Sequence, residues 1–539
     1  MLNTRNLIEV GRIVGEASSA EFVFISDKER YPPKYEYLLV MSKEYIAGRL
    51  KEVPVLAQVQ KIVSRSLVLS ENLDIETIER IRRAGIDEVN IVGFAKILGY
   101  IDRESKGVLM PRRAVVPGNP VYLAPSDLLE EFFSYDEEEG LYIGNLLMRP
   151  DVKVYISLNG LRRHLAILAQ TGAGKSYTAG VLMEELIKKG ATIVVIDPHS
   201  DYVFLSRRRD NTRFEFYDRI TVFRNPNSTG RYGEKDIDNL KPYLVNFAEL
   251  DVDEICDICG ISSRYTNLRE IVRLMVEELR SEKACYLPKD LYEKIEEFIR
   301  KTRDRKKKEY AIQALKYVRR LLRLKVFGDR GVSIRDILKP VHISVIDLSG
   351  LDDLSMDYIT YKTLTEIYNA VVSGEFNYPV FIFIEEAHKF IPPKNLKRTY
   401  SAEIINTIAS EGRKFGIFLV LISQRPYKLD PDSLSQCNSQ IIMRMTNPQD
   451  QKAVRESSER VSEDLINDLP GLNPGEAIIV GEVTRVPVMV KIRSRETREG
   501  GADIDVVSKL KEALNETELS KSYEDEGIEG PKRGVWSEV

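Results

Sequence analysis

Eight consecutive residues, Ala169-Gln170-Thr171-Gly172-Ala173-Gly174-Lys175-Ser176, have the types and spacing of a phosphate-binding loop. Its glycines let the backbone curl so that successive N–H groups converge on phosphate oxygens, and the helix that follows adds the partial positive charge of its N-terminus. Lys175 is placed to reach β and γ phosphates, and the Ser176 hydroxyl to ligate Mg²⁺, a hard ion that seeks oxygen. Thr171, Gly172, Ala173, Gly174, Lys175, Ser176 and Tyr177 are therefore the expected cradle of ATP. Ala169 stands where the pattern has its first glycine, a position that chiefly requires a small side chain.

Carboxylates recur at the ends of two further runs. Ala191 to Ile196 is an apolar stretch ending in Asp197-Pro198-His199-Ser200-Asp201, and ligands of open α/β sheets lie beyond the carboxyl ends of the strands. Asp197 is thus expected to face the nucleotide, the alternative being a helix-capping carboxylate. Val380 to Ile384 is unbroken apolar sequence followed by Glu385-Glu386. Glu385 is expected to hold the Mg²⁺ shell through water and Glu386 to polarise the attacking water as general base. The first acid of such pairs is usually Asp, and a longer Glu still reaches a water-bridged ion. A later apolar run, Ile417 to Ser423, ends in Gln424, a polar group able to sense the γ-phosphate.

These runs need a scaffold that brings them to one edge. His164 to Leu168 before the loop is short and apolar like a buried strand, and Tyr177 to Lys189 after it has helical periodicity. Strand at His342–Leu348, helix at Ser355–Val372 and helix at Ala402–Glu411 continue the alternation, and Ala477–Val480 with Val486–Ile492 closes it. The pattern predicts an α/β core of the RecA-like ASCE type, with an extra strand between the phosphate-loop strand and the acidic strand, at 131–233 and 332–495.

Residues 1–130 are rich in Val, Ile, Tyr and Phe in partly alternating runs, broken by Pro32-Pro33 and by a short helical stretch at Ile75–Ala84, and predict a small β-barrel. Nothing in it has catalytic spacing, which suits a structural or partner-docking module. The acidic residues Glu130-Glu131 and Asp136 to Glu139 suggest a solvated connector, and 234–331 a helical insertion without clear strands. Its basic run from Lys301 to Lys308 is compatible with nucleic acid or with a solvated helix face. Cys256 and Cys259 have zinc-like spacing but no second pair or His cluster, so structural cysteines are expected. The 496–539 tail is charged and holds Trp536, the single tryptophan, as a candidate anchor on a neighbouring subunit.

At 539 residues the chain has room for several domains, and 79 basic against 83 acidic residues leave a net charge of -4, so any nucleic-acid surface must be local. No run is long and apolar enough for a membrane span, and four cysteines suit a reducing compartment, so a soluble cytoplasmic protein is expected. Directly after the acidic strand, Lys389 to Arg398 combines Pro392-Pro393 with basic residues. Lys394, Lys397 and Arg398 are candidates to contact DNA phosphates from an extended loop, an ordinary solvated loop being the alternative.

The set Thr171 to Ser176, Asp197 to Asp201, Phe383-Ile384-Glu385-Glu386-Ala387-His388, Gly412-Arg413-Lys414-Phe415-Gly416 and Ser423-Gln424-Arg425-Pro426 resembles the archaeal HerA branch of the HerA–FtsK superfamily. The N-terminal barrel resembles that family's HAS barrel, and Leu469 to Ala477 its late turn before the closing hairpin. The resemblance implies a homo-hexameric translocase on double-stranded DNA that works with a NurA-type nuclease on DNA ends. It also implies that Arg413 acts on the nucleotide of the neighbouring subunit. The competing readings are an ATP-switched scaffold that recruits a nuclease, and a division or conjugation pump.

Overall fold

The structure, a computed structural model, describes residues 7–66, 68–86, 89–102, 107–458, 461–501 and 506–514. Alternating apolar residues in the first hundred positions give β1 (Glu9–Ala17), β2 (Glu21–Ser26), β3 (Tyr37–Ile46) and β4 (Arg49–Ser66). Helix α1 (Ile75–Arg83) and then β5 (Val89–Ile101), β6 (Val108–Leu109) and β7 (Pro120–Leu123) follow. The order β2-β1-β7-β3-β4-β5 closes through β2–β5 pairing, making a six-stranded barrel with β6 as an appendage. Two register shifts bend β4, which lets one long strand turn a barrel corner. Phe24, Leu38, Val40, Val55, Val59 and Val121 fill the interior.

The connector is more ordered than its acidity suggests. Helix α2 (Ser126–Phe133) buries Leu128, Leu129, Phe132 and Phe133 and turns Glu130 and Glu131 to water, so the acids mark the outer face of an amphipathic helix.

The core sheet is built from β8 (Gly140–Leu146), β9 (Lys153–Ser157), β10 (Leu165–Leu168), β11 (Thr192–Asp197), β12 (Ile220–Arg224) and β13 (Leu240–Pro242), with helix α3 (Lys175–Lys188) after β10. The insertion begins with the short β14 (Val245–Asn246) and holds α4 (Val252–Cys259), α5 (Thr266–Glu282), α6 (Pro288–Lys301) and α7 (Arg305–Val318). It ends at β15 (Phe327–Gly328), which pairs with β14 and ties its base. Strand β13 lies inside the span read as helical, because three residues are too short to show a period. Cys256 and Cys259 point into the insertion's core, where burial pushes the Cys256 thiol up to about 11.

The chain returns through α8 (Ile334–Ile337), β16 (His342–Asp347), α9 (Asp353–Val372), β17 (Val380–Ile384), α10 (Ser401–Glu411) and β18 (Ile417–Ser423). It continues with α11 (Pro431–Gln436), β19 (Ser439–Met443), α12 (Pro448–Ser457), α13 (Glu463–Asp468), β20 (Glu476–Val480) and β21 (Val488–Ile492). The sheet order is β13-β12-β16-β11-β17-β18-β10-β19-β20-β21-β8-β9, parallel as far as β19 and antiparallel beyond it. Strand β18 stands between the phosphate-loop strand β10 and the acidic strand β17, the extra-strand arrangement expected of an ASCE core. The central strands are buried on both faces, which is why they read as unbroken apolar runs. Among the described residues no helix is long and apolar enough to cross a membrane. Trp536 lies outside the described residues.

Candidate functional site

Strands β10, β11, β17 and β18 run parallel, so their carboxyl ends open on one edge of the sheet. The loop after β10 enters α3 through Gly174, whose φ of 104° is a left-handed backbone that glycine supplies without a Cβ clash. Lys175, the first residue of α3, hydrogen-bonds to Glu385 Oε1 and lies 3.3 Å from Glu386 Oε1. Ser176 Oγ donates to Asp201 Oδ2 at 2.8 Å and sits 3.5 Å from Glu385 Oε1. Across the edge, Thr171 Oγ1 donates to Gln424 Oε1, which ties the phosphate loop to the end of β18.

The two glutamates occupy unlike environments. Glu385 is fully buried, and that burial raises its carboxyl above the ordinary range despite the opposing charge of Lys175. The Tyr202 hydroxyl donates to its other oxygen at 2.6 Å. Burial would raise the Glu386 carboxyl, but the imidazole of His388, with Nδ1 3.1 Å from its Oε2, and the charge of Lys175 outweigh that and hold it down at about 2. The Glu386 backbone has a φ of 50°, a conformation that costs energy in a residue with a side chain and that gathers at functional sites. Burial would lower the Lys175 ammonium, but the adjacent carboxylates keep it above its usual value, so it is charged. The edge thus holds a fixed cation, a carboxylate anionic at any physiological pH, and a polar amide beside the phosphate loop.

Ser176 Oγ, Asp201 Oδ2 and Glu385 Oε1 form an all-oxygen set, which fits Mg²⁺ shared with phosphate oxygens and water. Among the described residues no three His, Cys, Asp or Glu side chains gather to hold a metal by themselves.

Asp197, expected to face the nucleotide, instead turns into its own loop. It is fully buried, and its oxygens accept from the backbone N–H groups of His199, Asp201 and Tyr202 at 3.1, 3.0 and 2.9 Å. Asp197 caps an irregular turn, since the chain after β11 forms bends and turns and no helix there, and Asp201, four residues on, is the carboxylate that reaches Ser176. The Tyr177 hydroxyl accepts from the backbone N–H of Arg495 at 2.6 Å, so that side chain serves the C-terminal segment.

Arg413 lies at the opposite end of the sheet. It precedes β18, whose far end carries Gln424, and seven residues of strand span roughly 20 Å, too far for an arginine to reach its own phosphate loop. There it lines an open cavity of about 440 Å³ with Arg162, Arg163, Asn159 and Glu482. Lys394, Lys397 and Arg398 are exposed on a loop whose return is anchored by Asp357, which accepts from the backbone N–H groups of Tyr400 and Ser401. Spacing alone does not single out Asp201, Tyr202, His388, Arg162 and Arg163. The first three stand in or next to runs that it does single out, DPHSD and EEAH, but nothing local tells which polar residue of a turn points inward.

A family described as "Helicase HerA, central domain" matches residues 141–367. A protein of Methanocaldococcus jannaschii named "Probable helicase MJ1565" is 31% identical over 95% of this chain and 96% of its own. Proteins named "DNA double-strand break repair helicase HerA" are 30% identical in Pyrococcus furiosus, over 93% of this chain and 96% of theirs, and in Sulfurisphaera tokodaii, over 94% and 98%.

Proposed function

The chain belongs to the HerA helicase family, and from that premise we propose that it is an ATP-driven translocase on double-stranded DNA. In this reading it forms a homo-hexameric ring in the cytoplasm and prepares DNA ends with a NurA-type nuclease during double-strand-break repair. The observation that carries the motor is the meeting of Lys175, Glu385, Glu386 and Gln424 at one sheet edge while Arg413 stands at the other. One subunit then holds the cradle and lacks the arginine, and its neighbour in a ring supplies it.

The chemistry follows from the positions. ATP phosphates compete for Lys175, drawing the ammonium from the glutamates toward the β and γ oxygens. Glu386, released from that partner and still oriented by His388, accepts a hydrogen bond from water and aims it at the γ-phosphorus. Ser176 and Glu385, with Asp201, are the residues that would hold Mg²⁺, whose charge offsets that of the phosphates. Gln424, linked to Thr171, registers whether the γ-phosphate is present and passes the difference along β18. Lys394, Lys397 and Arg398 grip DNA phosphates without reading sequence.

Steady-state ATP hydrolysis with and without duplex DNA tests this reading. A motor hydrolyses faster on DNA; a rate indifferent to DNA, with DNA binding intact, would instead support a scaffold switched by ATP.

A further inference from the structure

The segment after β21 spans the end of the expected core, 493–495, and the start of the charged tail, and among the described residues Arg495 and Thr497 are buried polar groups. Arg493 pairs with Glu184 at 3.0 Å and Glu185 at 2.8 Å on α3. Glu184 also accepts from the backbone N–H groups of Glu496 and Thr497 at 2.9 and 2.7 Å and from the Thr497 hydroxyl at 2.8 Å. The Gly500 N–H reaches the Asp201 carbonyl at 3.0 Å. Residues 493–500 therefore strap the phosphate-loop helix to the acidic loop after β11.

Arg495 is among the largest fully buried side chains of the described residues. Its Nε donates to Thr497 Oγ1 at 2.9 Å and one terminal nitrogen to the Arg498 carbonyl at 3.3 Å, while Nη1 has no hydrogen-bond partner and its nearest carboxylate, Glu499, is 3.8 Å away. A buried guanidinium so incompletely matched is expensive, and an apolar residue would dock the strap as well. The helix accommodates it at Gly180, where any Cβ would overlap the guanidinium. The charge lies 5.8 Å from the centre of the Tyr202 ring, and the Tyr202 hydroxyl is the group that donates to Glu385.

We propose that Tyr202 is the positioning residue of Glu385 and that Arg495 is the strap's means of setting it. A cation over the face of a phenol draws electron density from the ring and makes its hydroxyl a stronger donor, so Arg495 acts on Glu385 through Tyr202. The C-terminal strap is then part of the hydrolytic site, and a change that lifts it slows turnover without emptying the nucleotide cradle. This rests on the role given to Glu385 above.

The test uses the full chain with Tyr202→Phe, Arg495→Met, Arg495→Lys, the double variant Tyr202→Phe/Arg495→Met, and Glu385→Gln as reference. Tyr202→Phe should lower kcat by about tenfold or more, the worth of a hydrogen bond to a charged group, with KM within about twofold. ATP affinity in EDTA should stay within about twofold, since Lys175 and the loop amides are untouched. Arg495→Met should lower kcat less, Arg495→Lys should recover most of that loss, and the double variant should be no slower than Tyr202→Phe alone. A structural strap predicts otherwise: kcat, metal-free ATP affinity and Tm fall together, lysine does not rescue, and the two losses add. Should Arg495→Met fail to fold, Tyr202→Phe, which removes one oxygen, decides alone, and unchanged kcat there overturns the proposal. Glu385→Gln separates the two levels: if it turns over normally the site reading fails, and if it is inactive while Tyr202→Phe is normal only this inference does.

Discussion

The two ends of the central sheet treat charge in opposite ways. At the carboxyl ends of β10, β11, β17 and β18 the buried groups are joined to one another, Lys175 with Glu385 and Glu386, Ser176 with Asp201, Glu386 with His388, and the exposed Arg425 beyond Gln424 stands outside these pairs. At the amino ends Arg162, Arg163 and Arg413 line one open cavity, and none of the three makes an ion pair among the described residues. Paired charges in a buried edge are ready for chemistry on a ligand that can exchange partners with them. Exposed arginines outside any ion pair, three of them against the one carboxylate of Glu482 in the same lining, are ready for a further anion, and bidentate guanidinium groups suit phosphate. A ring that stacks the second end of one subunit on the first end of the next would complete both.

The sharpest way to break this comparison is to remove the arginine. Arg413→Ala should lower ATP hydrolysis by about 10³ to 10⁵, the worth of an arginine acting on a transferred phosphoryl group. Mixing Arg413→Ala subunits with Lys175→Ala subunits, each inactive alone, should restore part of the activity through interfaces that combine an intact cradle with an intact arginine. No recovery in rings shown to be mixed would place Arg413 in a local structural role.

At the paired end, Glu386→Gln should cost about 10² to 10⁴ in turnover, the usual contribution of a general base, while ATP still binds. Lys175→Ala should lose nucleotide binding or hydrolysis outright, and the contrast between a stalled and an empty site is read by equilibrium binding of labelled ATP. Near-normal turnover in Glu386→Gln would overturn its assignment.

Changing Lys394, Lys397 and Arg398 together to Ala tests whether the exposed loop belongs to either end. DNA affinity should fall by about tenfold or more and the slope of log affinity against log salt should flatten by about 0.9 per lost phosphate contact, with DNA-free ATPase unchanged. An unaltered slope would move the DNA grip to the basic helix beginning near Lys301.

A last prediction concerns stability rather than turnover or binding. His164, between the arginines and β10, is buried with Nδ1 accepting from Leu419 N–H at 2.9 Å and Nε2 facing the Ala409 carbonyl at 3.0 Å, so it is held as a neutral ring, its pKa lowered by burial to about 4. A folded pKa below the unfolded value of 6.5 means that its contribution is complete above pH 6.5 and is lost as pH falls toward 4. Thermal unfolding of the parent should therefore drop across that window, and His164→Gln should remove up to about 3 kcal/mol of the difference. An identical pH profile in the variant would show that the ring titrates freely.

Sequence alone determined the parts whose physics is local. The phosphate loop is a contiguous run whose glycines, lysine and serine do their work at fixed offsets, and β10, β11, β17 and β18 announced themselves because strands buried on both faces must be continuously apolar. The barrel showed itself by alternation in β2 and the first half of β5, which one wet and one dry face impose, while β3 and β4 hold runs buried on both faces. Tertiary structure alone decided which of two aspartates in one turn meets Ser176, since Asp197 and Asp201 are chemically identical and only the fold of the loop between them gives Asp197 the backbone amides and Asp201 the site. It also decided the fate of Arg493, Arg495 and Thr497. Arg493 and Arg495 end the span expected of the core and Thr497 opens the charged tail, and nothing in their own neighbourhood marks them as buried; what covers them is Glu184 and Gly180, some three hundred residues earlier on α3. A charged side chain is at home in water unless a partner distant in sequence is folded against it, and no local period records such a partner.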